Sequence, residues 1–281
     1  MSRFKFWGVL IFTLLSAGCF KTETVVHVKP DGSGIIEETL LLSLSTLESM
    51  QNLSKEMKSA MPDAKNEDKA ENGDPLEGMI RDAKGKAGQY GKGVRFLSAV
   101  PIKTETMGGY KALYVFDDVN TIKISQKPEP KAGQNSEGGG VPNDQEEWIR
   151  FKIVKGPFST LTVTMPDPKE EKKAPGKKET APEKSPPDPQ SAEMMKVLFK
   201  DMGVKIAVKI EGIILKTNAT YNHKSELTLF EMQFGKIMEN PGALERVSSA
   251  QPKTIEEMKR LVKGLEGLKV EMNNPIVVDF K

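Results

Sequence analysis

The sequence predicts an α+β fold: a mostly antiparallel sheet, built from hairpins, with helices packed on one face. Two observations support this prediction. Several short segments alternate apolar and polar residues and are separated by turns that contain Gly and Pro, which is typical of hairpin strands. Other segments repeat apolar residues at intervals of three and four, which is the period of an amphipathic helix.

A hairpin is predicted near the N-terminus, where residues 24–29 and 35–44 alternate. Between these two segments stands Asp31-Gly32, a dipeptide that favours a tight turn. We interpret Asp31 as a turn residue rather than a calcium ligand, because the spacing of an EF-hand loop is absent.

Helices are expected over three longer segments, and also from near Phe234, over 242–247 and after a capping box of Thr254 and Glu257. Ser45 and Glu48 form a capping box, which predicts a helix over 46–60. A second helix is predicted over 76–89, where three glycines lower the helix propensity. A third runs over 191–203 and carries a stripe of methionines. We interpret this stripe as core packing, and a soft ligand-binding surface is the alternative.

Further alternating segments predict more strands. They are residues 94–104, 110–116, 147–155, 158–165, 204–215, 226–232 and 275–280. Residues 147–155 and 158–165 are expected to form a second hairpin around Gly156-Pro157. The strand over 204–215 is expected to continue through Gly212 as a bulge and to pair with 226–232.

Four segments are predicted along the chain: a lipoprotein signal peptide at 1–18, an α+β body at 19–165, a disordered insertion at 166–190, and a helix–strand–helix remainder at 191–281. The third segment is rich in proline, lysine and acidic residues, and it has too few apolar residues to offset the entropy cost of ordering. We expect the last segment to complete the same domain as the body. A linker between two domains is the alternative interpretation of the third segment.

The N-terminus has the pattern of an export signal. Arg3 and Lys5 precede an apolar stretch over 6–15, and small residues follow up to Cys19, the one cysteine of the chain. This stretch is too short to span a bilayer as a permanent helix. We therefore interpret Cys19 as the first mature residue and as a lipidation site. The alternatives are an ordinary secretory peptide with an incidental cysteine and a buried N-terminal helix.

Ala17, Gly18 and Cys19 resemble the lipobox of bacterial lipoproteins, although Ser16 stands where that motif commonly has leucine. The resemblance implies a diacylglyceryl thioether on Cys19, and thus a membrane anchor through acyl chains. Phe20 occupies the next position instead of the aspartate that retains such proteins in the inner membrane. This implies the periplasmic face of the outer membrane rather than the inner membrane.

The composition limits the partners that the chain is expected to bind. Removal of Arg3 and Lys5 with the signal peptide lowers the number of basic residues from 41 to 39, which equals the 39 acidic residues. A neutral chain is not expected to bind nucleic acid, which requires a basic surface. Because no cysteine follows Cys19, neither a disulfide nor a zinc–thiolate site is expected.

No catalytic, metal-binding or cofactor-binding motif is found in the sequence. His27 and His223 are the only histidines, and they lack the spacing of a metal site. Asp117 and Asp118 suggest an envelope hydrolase that uses carboxylates as an alternative function. Adjacent residues of an extended chain point to opposite faces, so we prefer to interpret this pair as a cap or turn.

Cys19, the hairpin around Asp31-Gly32 and the helix that follows resemble uncharacterised bacterial lipoproteins, including the LppM-type domain, over residues 19–165. This resemblance implies an envelope-anchored α+β domain in possible contact with lipid, and it supplies no catalytic residue. The sequence thus predicts a non-enzymatic, lipid-anchored envelope protein that binds a partner protein or an apolar ligand and needs no cofactor. It does not identify the ligand-binding residues.

Overall fold

The structure, a computed structural model, describes residues 20–60, 74–125, 148–166, 199–240, 242 and 262–281. Most of these residues form strands, which are arranged in one eight-stranded and one five-stranded sheet. The same residues contain three α-helices with defined bounds. The predicted α+β fold, with helices packed on one face of a sheet, is therefore wrong, and the fold is mainly β.

The strands follow one another along the chain as β1 (Phe20–Val28), β2 (Gly34–Ser43), β3 (Arg95–Lys103), β4 (Met107–Phe116), β5 (Lys123–Ser125), β6 (Trp148–Val154), β7 (Ser159–Thr164), β8 (Gly203–Ile210), β9 (Ile214–Thr217), β10 (Asn222–His223), β11 (Glu226–Gln233), β12 (Leu268–Val270) and β13 (Ile276–Phe280). The first sheet has the order β10-β11-β8-β1-β2-β4-β3, and β12 also pairs with β11. The second sheet has the order β5-β6-β7-β13-β9.

The helices lie beside the first sheet and at its ends. They are α1 (Leu44–Ala60), α2 (Pro75–Gly85) and α3 (Phe234–Met238), with short 3-10 helices at Ala87–Tyr90 and Val119–Thr121. The predicted helix over 46–60 is confirmed as α1, but the predicted cap at Ser45 is wrong: α1 begins at Leu44, and Ser43 Oγ accepts from the N–H of Thr46 at 3.2 Å. The helix predicted over 76–89 ends at Gly85 and continues as the first 3-10 helix. None of the helices within the described residues is long and apolar enough to cross a bilayer.

The fold class was mispredicted because the two sheets cover each other. Val26 and Ile36 of the first sheet belong to the same buried cluster as Ile149, Leu161 and Phe280 of the second. Alternation along a strand indicates which side chains share a face, but it does not indicate what covers that face. The second sheet, together with α2, occupies the place where the sequence predicted helices alone. We call this covered side of each sheet its inner face.

The local pairings agree with the sequence. The hairpin of β1 with β2, the hairpin of β6 with β7 and the pairing of β8 with β11 are confirmed as antiparallel. The sequence did not predict that β8 also pairs with β1 in parallel, from Lys21 opposite Gly203 to Val28 opposite Ile210. This pairing places β1 inside the sheet rather than at its edge.

The predicted continuation of one strand through Gly212 is wrong, because the chain changes sheets there. The backbone N–H of Glu211 donates to the carbonyl of Val28 in the first sheet at 2.9 Å, whereas the N–H of Ile213 donates to the carbonyl of Lys281 beside the second at 2.7 Å. A Cβ atom at Gly212 would lie 2.6 Å from the Lys281 carbonyl oxygen. Only glycine fits this close approach without a shift of the backbone.

Replacing Gly212 with alanine is expected to lower the free energy of unfolding by about 1–3 kcal/mol, because the added methyl group must displace a backbone carbonyl. Urea unfolding followed by circular dichroism measures this change. Gly78 in α2 is the control, since a Cβ there meets no atom within 4 Å. Gly78→Ala is expected to raise the stability by up to about 1 kcal/mol. Equal effects of the two substitutions would contradict the steric role of Gly212.

Candidate functional site

A groove of about 490 Å³ lies at the end of the first sheet where β1 begins. The start of β1, the β3–β4 turn, the residues before β8 and the end of β11 surround it. Thr106 Oγ1 donates to Asp201 Oδ2 at 3.2 Å, and this bond ties the β3–β4 turn to the segment before β8. The apolar part of the lining consists of Leu41, Met107, Met202, Val204 and Met232.

The charged lining of the groove is balanced between three lysines and three carboxylates, namely Lys21, Lys200, Lys205, Glu23, Asp201 and Glu231. Burial lowers the pKa of Lys205, but Glu226 and Glu23, at 2.9 and 3.0 Å, outweigh burial and raise it. Burial raises the pKa of Glu231, but the hydrogen bond from Lys269 at 2.6 Å helps to lower it. Lys205 and Glu231 therefore remain charged at neutral pH.

A second polar cluster is buried between α2 and the inner face of the first sheet. Its centre is Glu38, which is 7% exposed. Glu38 Oε1 accepts hydrogen bonds from Lys86 Nζ at 2.7 Å and from the Tyr110 hydroxyl at 3.2 Å. The Tyr114 hydroxyl lies 2.9 Å from both Glu38 Oε2 and the Ala83 carbonyl oxygen, which are the acceptors for its proton. The cluster thus joins α2 to β2 and β4.

Burial and the charge of Glu38 together shift the pKa values of its neighbours. Burial and this charge raise the pKa of Tyr110 to about 12, and they raise the pKa values of Tyr114 and Tyr90 well above the usual range. Burial lowers the pKa of Lys86, but Glu38 outweighs burial and raises it. Glu38 and Lys86 therefore form a buried ion pair among neutral phenols. Within the described residues every fully buried polar side-chain atom has a hydrogen-bond partner.

The carboxylates of the hydrolase alternative lie at an exposed corner. Asp117 forms an ion pair with Arg95 at 2.8 Å, and its side chain is 74% exposed. Asp118 caps the second 3-10 helix by accepting from the N–H of Asn120 at 3.0 Å. The capping role preferred from the sequence is confirmed for Asp118, and the two carboxylates do not share a cleft.

The other residues singled out in the sequence lie apart from the groove. Asp31 accepts from the backbone and the hydroxyl of Ser33, which confirms its turn role. His27 Nδ1 lies 3.4 Å from Glu211, and His223 is exposed in β10. Among the described residues, no three His, Cys, Asp or Glu side chains are grouped as metal ligands. Cys19 and most of the methionine stripe at 191–203 lie outside the described residues.

The sequence analysis missed Glu38, although a signal was present. Glu38 alternates with Ile36 and Leu40 and therefore lies on the apolar face of β2. A carboxylate at such a position requires a buried partner. The groove had no comparable signal, because its walls come from four segments that are distant in sequence.

No known protein family matches the chain, and no curated protein matches it. Among solved structures, the chain is similar to the NMR structure of the folded domain of LppM from Mycobacterium tuberculosis, with a TM-score of 0.28 and 10% identity, over 78% of this chain and 85% of that chain. The sequence resemblance to LppM-type domains thus has a weak structural counterpart. A TM-score of 0.28 carries no argument about function, so the proposals below depend on the residues of this chain.

Glu38→Ala is expected to lower the free energy of unfolding by roughly 3–5 kcal/mol, because Lys86 would be left buried without its partner. Glu37→Ala is the matched control. Glu37 neighbours Glu38 but pairs with Lys111 at a partly exposed position, so its loss is expected to cost at most about 1 kcal/mol. Urea unfolding of both variants measures the difference. A similar loss of unfolding free energy in the two variants would show that the buried ion pair of Glu38 with Lys86 does not stabilise the packing of α2 on the sheet.

Proposed function

We propose that this chain is a non-enzymatic, lipid-anchored protein of the bacterial envelope that binds one amphiphilic membrane molecule in its groove. The observation that carries the proposal is the position of the groove. Lys21 and Glu23 of its wall follow the proposed lipidation site, Cys19, by two and four residues. Consecutive Cα atoms are about 3.8 Å apart, so acyl chains on Cys19 would hold the groove beside the bilayer surface.

The chemistry of the lining supports an amphiphile as the ligand. Methionine side chains adapt to apolar molecules of varied shape, and Met107, Met202 and Met232 supply such a surface. The balanced lysines and carboxylates beside them suit a head group that carries both charges or is polar and neutral. The volume of about 490 Å³ falls within the range of small-molecule sites, about 300–1,000 Å³.

The outer membrane is the proposed location, with the body on the periplasmic side, since Phe20 follows Cys19 where an aspartate would retain the protein in the inner membrane. The hydrolase alternative has no support from the geometry, because Asp117 and Asp118 lie at an exposed corner and do not line the groove. A single function is therefore proposed.

The anchor is tested by metabolic labelling with a palmitate analogue. The wild-type chain is expected to incorporate the label, and Cys19→Ser is expected to abolish incorporation because the thiol that accepts the lipid is absent. Equal labelling of the two chains would contradict lipidation at Cys19.

The groove is tested by native mass spectrometry of the full processed chain released from detergent micelles. The wild type is expected to carry a co-purified lipid in addition to its covalent acyl chains. Thr106→Trp places a large ring in the lining and is expected to lower lipid occupancy at least about tenfold, which is 1.4 kcal/mol.

The matched control for this experiment is Glu105→Trp. Glu105 is exposed in the same turn but does not line the groove, so its replacement is expected to leave occupancy unchanged. A wild-type chain without bound lipid, or equal losses in the two tryptophan variants, would contradict ligand binding in the groove.

A further inference from the structure

Four exposed apolar side chains lie on the second sheet and its turns, far from the groove. Val154 is 58% exposed, Phe158 45%, Ile213 65% and Leu215 48%. We call these four residues the distal apolar patch. Exposed large apolar side chains that gather in one place commonly mark a contact surface, whereas single ones need no explanation.

The strand register brings the patch together at one end of the second sheet. Ser159 of β7 pairs with Phe280 of β13, and Phe280 pairs with Ile214 of β9. Phe158 and Ile213 precede Ser159 and Ile214 directly, so they lie on either side of Lys281. Because neighbouring strands are about 4.8 Å apart, these two side chains are attached roughly 10 Å from each other.

The patch belongs to the side of the second sheet that faces away from the first. Ile153 and Phe280 are buried on the inner face. Val154 follows Ile153 in β6 and therefore points to the opposite, outer side. Across the sheet, Val154 of β6 pairs with Thr160 of β7, and Thr160 pairs with Asp279 of β13. Asp279 in turn pairs with Lys216 of β9, which is next to Leu215 in sequence.

The charged residues around the patch are mainly lysines. Lys152, Lys155 and Lys216 are exposed, and no ion pair within the described part of the chain involves them. The carboxylate of Asp279 faces the same side and accepts a hydrogen bond from Thr160 Oγ1 at 2.7 Å. In the adjacent β1–β2 turn, Lys29 is exposed, and Asp31 accepts hydrogen bonds from Ser33 and interacts electrostatically with Lys29 and Lys155.

We propose that the distal apolar patch and its lysines dock onto the surface of an anionic phospholipid bilayer. Phe158 and Ile213 stand on turns rather than in a cleft, so they can enter the head-group region without a complementary protein surface. Apolar side chains flanked by lysines are typical of interfacial membrane contacts. Lysines near an anionic bilayer are attracted to its head groups, and added salt screens this attraction.

This contact would be made away from the proposed anchor. β1 begins at Phe20 and extends over 9 residues toward the patch, and Ser159 Oγ donates to the Pro30 carbonyl at 2.6 Å at that end. At about 3.3 Å per residue, roughly 30 Å separate the start of β1 from the patch. A chain anchored through Cys19 would therefore present the patch to a second membrane surface.

The test uses the full processed chain in phosphatidylcholine nanodiscs, to which larger vesicles are added and sedimented. The wild type is expected to co-sediment with phosphatidylcholine vesicles that contain phosphatidylglycerol, not with pure phosphatidylcholine vesicles, and to be released by added salt. Phe158→Ser combined with Ile213→Ser is expected to weaken binding about tenfold or more. Leu97→Ser with Val100→Ser is the control, since these side chains of β3 are equally exposed outside the patch.

A charge-reversal pair makes the test independent of the apolar substitutions. Lys155→Glu with Lys216→Glu is expected to weaken binding about tenfold, whereas Lys103→Glu on β3 should leave it unchanged. Thermal melts monitored by circular dichroism establish that each variant is folded.

The proposal is overturned if the wild type does not co-sediment with the anionic vesicles, or if control and patch variants lose binding equally. Binding of the patch to immobilised polyglutamate without vesicle binding would instead assign it to an acidic protein segment. A result that shows no lipid in the groove would contradict the proposed ligand binding but would not change the expected binding of the patch to anionic vesicles.

Discussion

The parallel pairing of β1 with β8 is the constraint on which the rest of the structure depends. β1 already pairs with β2 along one edge, and without β8 its other edge would expose unpaired backbone groups. The same pairing places the residues before β8 next to the start of β1, which builds the groove. The pairing also positions the end of β8 next to Gly212, where the chain passes from the first sheet to the second. One set of backbone hydrogen bonds therefore connects both sheets and the candidate site.

The sequence predicts the parts of this fold that depend on neighbouring residues. The β1–β2 hairpin is specified by alternation around Asp31-Gly32, and α1 is specified by its periodicity and its N-terminal polar residues. The pairing of Lys21 with Gly203 has no local signal, because any two apolar strands satisfy the same alternation. Assignment of strands to one sheet or two depends on such distant pairs, which explains why the fold class was mispredicted.

The same limit applies to the candidate site. Glu38 was recognisable, since a carboxylate in an apolar row must be compensated by a partner such as Lys86. Asp117 and Asp118 attracted attention because they are adjacent in sequence, yet adjacency in an extended segment separates side chains. The groove lining combines β1, the β3–β4 turn and β11, and no pattern within any one of these segments marks it.

The distribution of charge distinguishes the two ends of the molecule. On the outer side of the first sheet, two lysines are paired with carboxylates, Lys111 with Glu37 and Lys205 with Glu23. Such pairs weaken the attraction of those lysines to anionic head groups, which agrees with the proposal of a neutral or doubly charged ligand in the groove. Lys152 and Lys216 of the second sheet belong to no ion pair of the described residues, and their field is therefore available to an anionic surface. The fold thus places the proposed ligand-binding groove and the proposed docking surface on different sheets.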